Sequence, residues 1–298
     1  MKLTYSTYTV VVLVCSDSRD TGSHQRKKAY GRLSRLMLII FIMITYGHTG
    51  PWGARIGVQC PFQESGSNQV VFMQLDLASL QSVRSFAENF LKTEPRLDIL
   101  VNNAGVLLIG RTEDGFGLMF GVNHLGHFLL TNLLLDRLKE CGPSRVVNVS
   151  SAAHNWGRVD FDCLNTHRDL RVGTTGLDCF GIYGDSKLCN ALFTHELAKR
   201  LKGTKVTCYS LHPGSILTEL QRNQSTTVQL ILKNIERFIF KTPLQGSQTT
   251  LHCALQEGIE HLSGRYFSNC TAKNVFAKAR DDAASKKLWE ISERFCGI

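Results

Sequence analysis

Leu97-Asp98-Ile99-Leu100-Val101-Asn102-Asn103-Ala104-Gly105 is the stretch that decides the fold. Its first part is a short apolar run that reads as a buried strand, and the run gives way to four small or polar residues. Small residues at a strand end let a ligand approach the backbone closely. Working backward, residues 70–75 form another apolar, β-rich run that ends in Asp76. Ser79 then reads as the N-cap of a helix, because Val83, Phe86, Ala87, Phe90 and Leu91 recur at helical spacing and Pro95 stops the pattern. Working forward, the pattern predicts a long helix over 116–139, a strand over 145–149 and a helix over 183–201. A strand over 205–211 follows, halted by His212-Pro213-Gly214, then a helix over 242–256, a strand over 264–267 and a closing helix over 283–295.

Strands alternating with helices of this length pair in parallel through right-handed crossovers. The expected fold is therefore α/β, a doubly wound parallel sheet of the Rossmann-like kind. In such sheets ligands bind outside the carboxyl ends of the strands.

With 298 residues, 43% hydrophobic and 20% charged, the chain has enough apolar material for one large core. Its ten cysteines form no CxxC pair and no Cys/His group at zinc spacing. That pattern suits thiols in a reducing compartment better than a disulfide framework, and no metal site is expected. Of the three Asn-x-Ser/Thr sequons, at Asn148, Asn223 and Asn269, the first falls in a predicted core strand where a glycan has no room.

Charge is uneven. The net charge is +9, and residues 1–63 hold 8 Lys/Arg against 2 Asp/Glu. Arg26, Lys27, Lys28, Arg32 and Arg35 lead directly into the apolar run at 36–44. The cluster is either a solvated basic tail or a basic flank beside a membrane surface. Nucleic acid is not an expected partner, because no recognition module or aromatic platform accompanies the charge. The run itself, at nine residues, is far short of the roughly 20 that a span needs. It suits a buried strand, a signal-like apolar segment or a partly inserted anchor, whereas residues 10–15, rich in Val, read as a strand.

The chemistry-bearing residues fall at the predicted strand ends or in the helices after them. Tyr183 and Lys187, four apart on one helix, share a face. A tyrosine with a pKa of about 10 is a poor base, but a neighbouring ammonium stabilises its phenolate. Alone, that pair is no more than a surface Tyr beside a solvated Lys. Here Asn148-Val149-Ser150-Ser151 places hydroxyls at one strand end, and Pro213-Gly214 with Thr218 follows another. Asn123 lies inside a helix, where Asn is not favoured.

In order and spacing, Asn102-Asn103-Ala104-Gly105, Asn123, Ser151, Tyr183-x-x-x-Lys187 and Pro213-Gly214 resemble the short-chain dehydrogenase/reductase family. Val122-Asn123-His124-Leu125-Gly126-His127-Phe128 and Leu262-Ser263-Gly264-Arg265-Tyr266-Phe267 are similar to its retinol-dehydrogenase-like branch, and the resemblance runs from Glu64 to Ile298. It implies that Tyr183 exchanges a proton with the substrate oxygen while hydride moves to or from a nicotinamide. Lys187 would lower the Tyr183 pKa and bind the nicotinamide ribose. Ser151, in preference to Ser150, would hold the substrate oxygen, and Asn123 would steady a water beside Lys187. By the same resemblance Asp76 would meet the adenine, Asn103, Ala104 and Gly105 the middle of the cofactor, and Pro213, Gly214 and Thr218 its carboxamide end. The implied cofactor is NADP(H), with NAD(H) as the alternative. The implied partners are a small lipophilic substrate, a membrane surface and a second copy of the chain. The implied location is the endoplasmic reticulum membrane, the alternative being the cytoplasm.

The sequence departs from that family at its start. A Thr-Gly-x-x-x-Gly-x-Gly loop, whose backbone would meet the pyrophosphate at a helix N-terminus, is absent. The glycines between Gly47 and Gly57 are wrongly spaced for it. Residues 1–52 are therefore expected to be an atypical basic and apolar segment, and 53–298 a single dehydrogenase domain with an incomplete first βαβ unit. Residues 159–179 are expected to form a lengthened loop beside the substrate mouth. Two functions follow: an active oxidoreductase for a lipophilic alcohol, aldehyde or ketone, or a cofactor-deficient variant acting as an interaction partner. An apolar helix over 228–240 would serve the first as a lid or membrane-facing element, and an ordinary packed helix fits it equally well.

Overall fold

The computed structural model describes residues 9–15, 37–42, 70–172, 178–214 and 243–298. The expected boundary at 52/53, Thr218 and the apolar segment 228–240 lie outside these residues. Eight strands form one sheet in the order β3-β1-β2-β4-β5-β6-β7-β8. They are β1 Thr9–Cys15, β2 Met37–Ile42, β3 Val70–Gln74, β4 Ile99–Asn102, β5 Ser144–Val149, β6 Val206–His212, β7 Tyr266–Ser268 and β8 Thr271–Lys273. Neighbours from β2 through β4, β5 and β6 to β7 pair in parallel. This is the expected doubly wound core.

Two strands run antiparallel at the margins of this parallel core. Strand β1 runs antiparallel to both β2 and β3, with Val11 opposite Phe41 on one side and Phe72 on the other. Strand β8 returns antiparallel on β7. Within the apolar run at 36–44, residues Met37–Ile42 form strand β2, the first of the three readings. Because β1 and β2 are antiparallel, the two strands do not make a first βαβ unit.

Helices cover the sheet: α1 Leu80–Thr93, α2 Leu118–Cys141, α3 Phe161–His167, α4 Cys179–Arg200, α5 Pro243–Leu255 and α6 Asp282–Cys296. Side chains alternate across a strand. Leu100, Val146 and Cys208 accordingly enter the larger core with Phe86, Phe128, Leu192 and Trp289, while Ile99, Val101, Val147 and Tyr209 face α5 through Cys253 and Ala254. Among the described residues, α2 is the one helix long and apolar enough to cross a membrane, yet 83% of its most apolar window is buried in the protein. It is a core helix here. Ser79 caps α1 by accepting from Ser82 N–H, and Asn148 is buried, so its sequon is closed to a glycan.

The segment expected as a long loop holds α3, capped by Asp160 through the Asp162 and Cys163 N–H groups. It is then fastened to α4 by Arg171, which meets the fully buried Asp185 carboxylate at 2.6 and 3.0 Å. Burying that ion pair with good two-point geometry gives the segment a fixed seat beside Tyr183.

Candidate active site

Strand β3 is antiparallel to β1, and β1 to β2, so β3 runs in the same direction as β2, β4, β5 and β6. Their carboxyl ends share one edge of the sheet. Asp76, Asn103 to Gly105, Ser150, Ser151 and Pro213-Gly214 therefore gather there.

The β4–β5 junction is held by an inward polar ladder. Asn102 and Asn148 are register partners, and the Asn102 amide donates to Asn148 Oδ1 (2.8 Å) and to Thr131 Oγ1 on α2 (2.9 Å). Asn148 in turn donates to Thr194 Oγ1 on α4 at 2.9 Å. Asn102 is thus a structural residue, and the chain is free to turn outward at Asn103.

Asn123 is fully buried in a wide π-helical turn of α2, Gly121–Leu125. Such single wide turns recur at functional sites. Its side chain accepts from Val106 N–H at 2.7 Å, donates to Val106 C=O at 3.0 Å, and donates to Ser186 Oγ at 2.9 Å. It ties the loop after β4 to the helix that carries Tyr183. Between them lies Gly105, where a β-carbon would stand 3.2 Å from Lys187 Nζ and 3.3 Å from Asn123 Oδ1. The glycine is there because the lysine head and the amide occupy the space of a side chain.

Lys187 is buried on α4, and its ammonium donates to Val149 C=O at 3.0 Å while lying 5.5 Å from the Tyr183 ring centroid. Burial lowers its pKa to about 8. Tyr183 is half-buried as a residue, and its hydroxyl, which lies inward, is hydrogen-bonded with Ser151. Burial raises its pKa to about 12, and the Ser151 bond pulls the other way. The Lys187 ammonium is engaged by the Val149 carbonyl and lies beside the Tyr183 ring.

Ser151 lies two residues beyond the end of β5 and caps the short turn Ala152–Asn155 by accepting from Ala153 N–H. Its neighbour Ser150 is buried and donates to Lys187 C=O at 2.7 Å, so the two serines divide into one that packs and one that faces Tyr183. Asp76 is half-buried with Oδ1 accepting from Ala78 N–H (2.8 Å), and burial raises its pKa. Gly214 has φ 103, a left-handed value that suits glycine after Pro213. Sequence reasoning missed Asp185 and Arg171, as well as His154 and Tyr266 beside Ser151. A separate cavity of about 360 Å³, lined by Phe116, Asn165, Arg168, Arg294 and Phe295, includes none of the expected site residues.

A parallel-dominant α/β sheet with a Ser–Tyr–Lys cluster at its carboxyl edge defines a class of dinucleotide-dependent oxidoreductases. The short chain dehydrogenase family matches residues 58–162. Retinol dehydrogenase 11 of Homo sapiens is 48% identical over 236 residues, covering 78% of this chain and 71% of the relative. The chain belongs to the short-chain dehydrogenase/reductase family, in its retinol-dehydrogenase-like branch. Dehydrogenase/reductase SDR family member 13 of Homo sapiens and of Bos taurus are each 51% identical over 242 residues, or 79% of this chain. The chain spans 62% of the length of those two relatives. Among solved structures, an uncharacterised protein from Mycobacterium Paratuberculosis is 31% identical, with TM-score 0.54 over 75% of this chain and 74% of its own. A Burkholderia cenocepacia short chain dehydrogenase in complex with NADP has TM-score 0.53 at 20% identity, over 76% of this chain and 84% of its own, which is a likeness of fold.

Proposed function

We propose that the chain is an NADP(H)-dependent oxidoreductase interconverting a small lipophilic, retinoid-like alcohol with its aldehyde or ketone, and that Tyr183 exchanges the proton. The observation that carries this reading is the hydrogen-bonded Ser151–Tyr183 pair beside buried Lys187 at the carboxyl edge. Gly105, bare against Lys187 and Asn123, fits the nicotinamide-ribose end of a dinucleotide, with Asn103 and Ala104 beside it. When bound, the nicotinamide gives or takes hydride.

The protein's residues handle position and proton. Ser151 and Tyr183 hold the substrate oxygen between two hydroxyls. A Tyr183 pKa near 12 keeps the phenol protonated at neutral pH, which suits donation to a carbonyl oxygen as it is reduced. In the alcohol direction Tyr183 must first lose its proton, and Lys187, with a pKa near 8 and hence mostly charged at pH 7, is the cation placed to steady the phenolate. NADPH consumption with all-trans-retinal tests this. The native chain should consume NADPH, and Tyr183→Phe should not, while binding the dinucleotide within a few-fold of native. Substantial turnover by the Phe chain would remove Tyr183 from the reaction; NAD(H) in parallel decides the preferred cofactor.

A specific observation supports a second reading, the cofactor-deficient variant that partners a full-length relative. The glycine loop is missing from the sequence, and β1 lies antiparallel where a first βαβ unit would need parallel strands. Dinucleotide titration separates the two readings. On either, the basic cluster from Arg26 to Arg35 serves as a membrane-surface contact, consistent with an endoplasmic reticulum location, and a second copy of the chain is a partner to seek by sedimentation.

A further inference from the structure

The cavity of about 360 Å³ walled by Phe116, Asn165, Arg168, Arg294 and Phe295 is built from three elements. They are the approach to α2, the C-terminal end of α3 and the last turn of α6. Its floor is aromatic: the Phe116 and Phe295 rings lie 5.1 Å apart, centroid to centroid, at 46°. Each ring carries a guanidinium. Arg168 Cζ stands 5.5 Å from the Phe116 centroid, and Arg294 Cζ stands 5.3 Å from that of Phe295. Such contacts hold a cation over the negative face of a ring.

A basic residue at a helix C-terminus meets the negative end of the helix dipole. That accounts for one arginine closing α3 and another in the last turn of α6. It does not account for the two being brought, from helices far apart in the chain, onto adjoining rings around one cavity. A guanidinium has five N–H donors in a planar fork. Arg294 gives one to Asn165 Oδ1, and Arg168 makes one long bond, 3.5 Å, to Asp114 C=O. Nearby carboxylates are engaged elsewhere. Asp114 Oδ2 accepts from Leu80 N–H at 2.9 Å, Asp169 Oδ1 from Leu170 N–H at 2.8 Å, and Glu293 Oε1 from Trp289 Nε1–H at 2.6 Å. The two forks therefore present positive N–H groups to the cavity over an apolar floor.

We propose that this cavity is a binding site for a small organic anion. Its oxyanion, a carboxylate or a phosphate, is held between the Arg168 and Arg294 forks, and its flat apolar body lies on the Phe116–Phe295 floor. Arginine pairs with carboxylate or phosphate through two parallel hydrogen bonds, which is the strong form of such contact. The volume is at the lower end of the range for ligand sites and suits a single ring rather than a dinucleotide. Ser151, Tyr183 and Lys187 are not among the lining residues, so the site stands whether or not the chain is an active oxidoreductase. Its position has a mechanical consequence. Arg168 C=O accepts from Gly117 N–H at 2.9 Å, at the head of α2. A bound anion bridges α3 to α6 across the start of the helix that carries Asn123.

Calorimetry on the native chain with phenyl phosphate, benzoate and inorganic phosphate tests it. Phenyl phosphate or benzoate should bind and raise the unfolding temperature, because a ligand held by the folded state alone stabilises that state. The tighter of the two identifies the oxyanion. Inorganic phosphate leaves the floor empty and should bind about tenfold more weakly than phenyl phosphate, or about 1.4 kcal/mol. Arg294→Gln keeps an apolar stem for Phe295 but loses the fork, and Arg168→Asn suits the left-handed φ of 54 at that position. Each should weaken binding of the tighter anion by about tenfold, whereas Tyr183→Phe should leave it unchanged. Arg294→Lys, which keeps the charge without the fork, should fall between native and Arg294→Gln. Failure of both aryl anions to bind at millimolar concentration would overturn the proposal. So would binding undiminished in either Arg294→Gln or Arg168→Asn, or inorganic phosphate binding as tightly as phenyl phosphate. Displacement of the anion by NADPH would place it in the dinucleotide site and overturn the proposal as well.

Discussion

Asn123 grips Val106 at two points, taking its N–H at 2.7 Å and giving to its C=O at 3.0 Å. The grip ties the loop after β4 to the wide turn of α2, and its third bond reaches Ser186 on α4. Asn123→Ala leaves the Val106 groups and the Ser186 hydroxyl to find other partners in a buried place. An unsatisfied buried group costs about 1–3 kcal/mol, so a loss of about 2–4 kcal/mol is expected for the variant. Urea unfolding measures it, and an unchanged midpoint would mean that the loop re-pairs freely. Because Gly105 sits between this clamp and Lys187, dinucleotide binding should weaken in the same variant.

Arg171 and Asp185 should respond unequally to substitution. Asp185 has a fully buried side chain, whereas that of Arg171 is 22% exposed. Arg171→Ala would strand a buried carboxylate with the Arg158 N–H as its remaining described partner, at 2.7 Å. Breaking a buried pair in this way costs about 3–5 kcal/mol. Asp185→Asn keeps an acceptor for Arg158 and lets the guanidinium reach water, so it should cost clearly less. Equal losses in thermal unfolding would contradict this account of how the 159–172 segment is seated.

Acid should destabilise the protein earlier than its carboxylates alone require. His124 and His127 are buried on α2, and burial lowers each pKa to about 3, against 6.5 for the free group. His124 also pairs with Ser292 Oγ on α6 at 2.9 Å. Between those pH values the unfolded chain binds protons that the folded chain does not. The stabilising contribution is complete above pH 6.5 and is lost as pH falls toward 3, by about 1.4 kcal/mol per pH unit per histidine. Unfolding midpoints between pH 7 and 4 should fall steeply in the native chain and less steeply in His124→Gln. Parallel slopes would place the acid sensitivity elsewhere.

The parts of this fold that could be read from sequence are those in which local pattern and tertiary use agree. Helix α1 was marked at both ends by Ser79 and Pro95, and the strand ending in Asn102-Asn103-Ala104-Gly105 by its change from apolar to small residues. The parts that could not be read depend on distant partners. Nothing in Thr9–Cys15 says that it enters the sheet antiparallel between β2 and β3, because an apolar strand has the same period in either direction. Strand β8 is three mostly exposed residues, and its signal was the Asn269-Cys270 turn with φ 51 and 56, where Asn is favoured but glycine would have been clearer. Helix α3 had a cap signal in Asp160 but is only seven residues long, and its seat is made by Arg171 finding Asp185. At the site, the order of motifs gave Ser151, Tyr183 and Lys187. The orientation of His154 toward the Ser151 carbonyl has no sequence pattern, since it follows from a single tight turn.

The last prediction concerns the two ends of the dinucleotide. The nicotinamide-ribose end has its residues gathered: Tyr183, Lys187, and Gly105 with no β-carbon to obstruct the approach. The pyrophosphate end lacks the Thr-Gly-x-x-x-Gly-x-Gly sequence, and β1 and β2 pair antiparallel rather than as the strands of a βαβ unit. Hydrogen bonds from backbone N–H groups to charged phosphate contribute about 1.5–3 kcal/mol each. Losing two weakens binding by on the order of a hundredfold or more, at about 1.4 kcal/mol per tenfold. NADPH should therefore bind this chain far more weakly than it binds a version given an intact glycine loop and its helix. The mononucleotide half of the cofactor, which needs no pyrophosphate cradle, should bind the two proteins about equally. Calorimetry with both ligands on both proteins measures the difference. Equal NADPH affinities would mean that residues 43–69 supply phosphate donors by another route, and equal losses for both ligands would move the defect to the nicotinamide end.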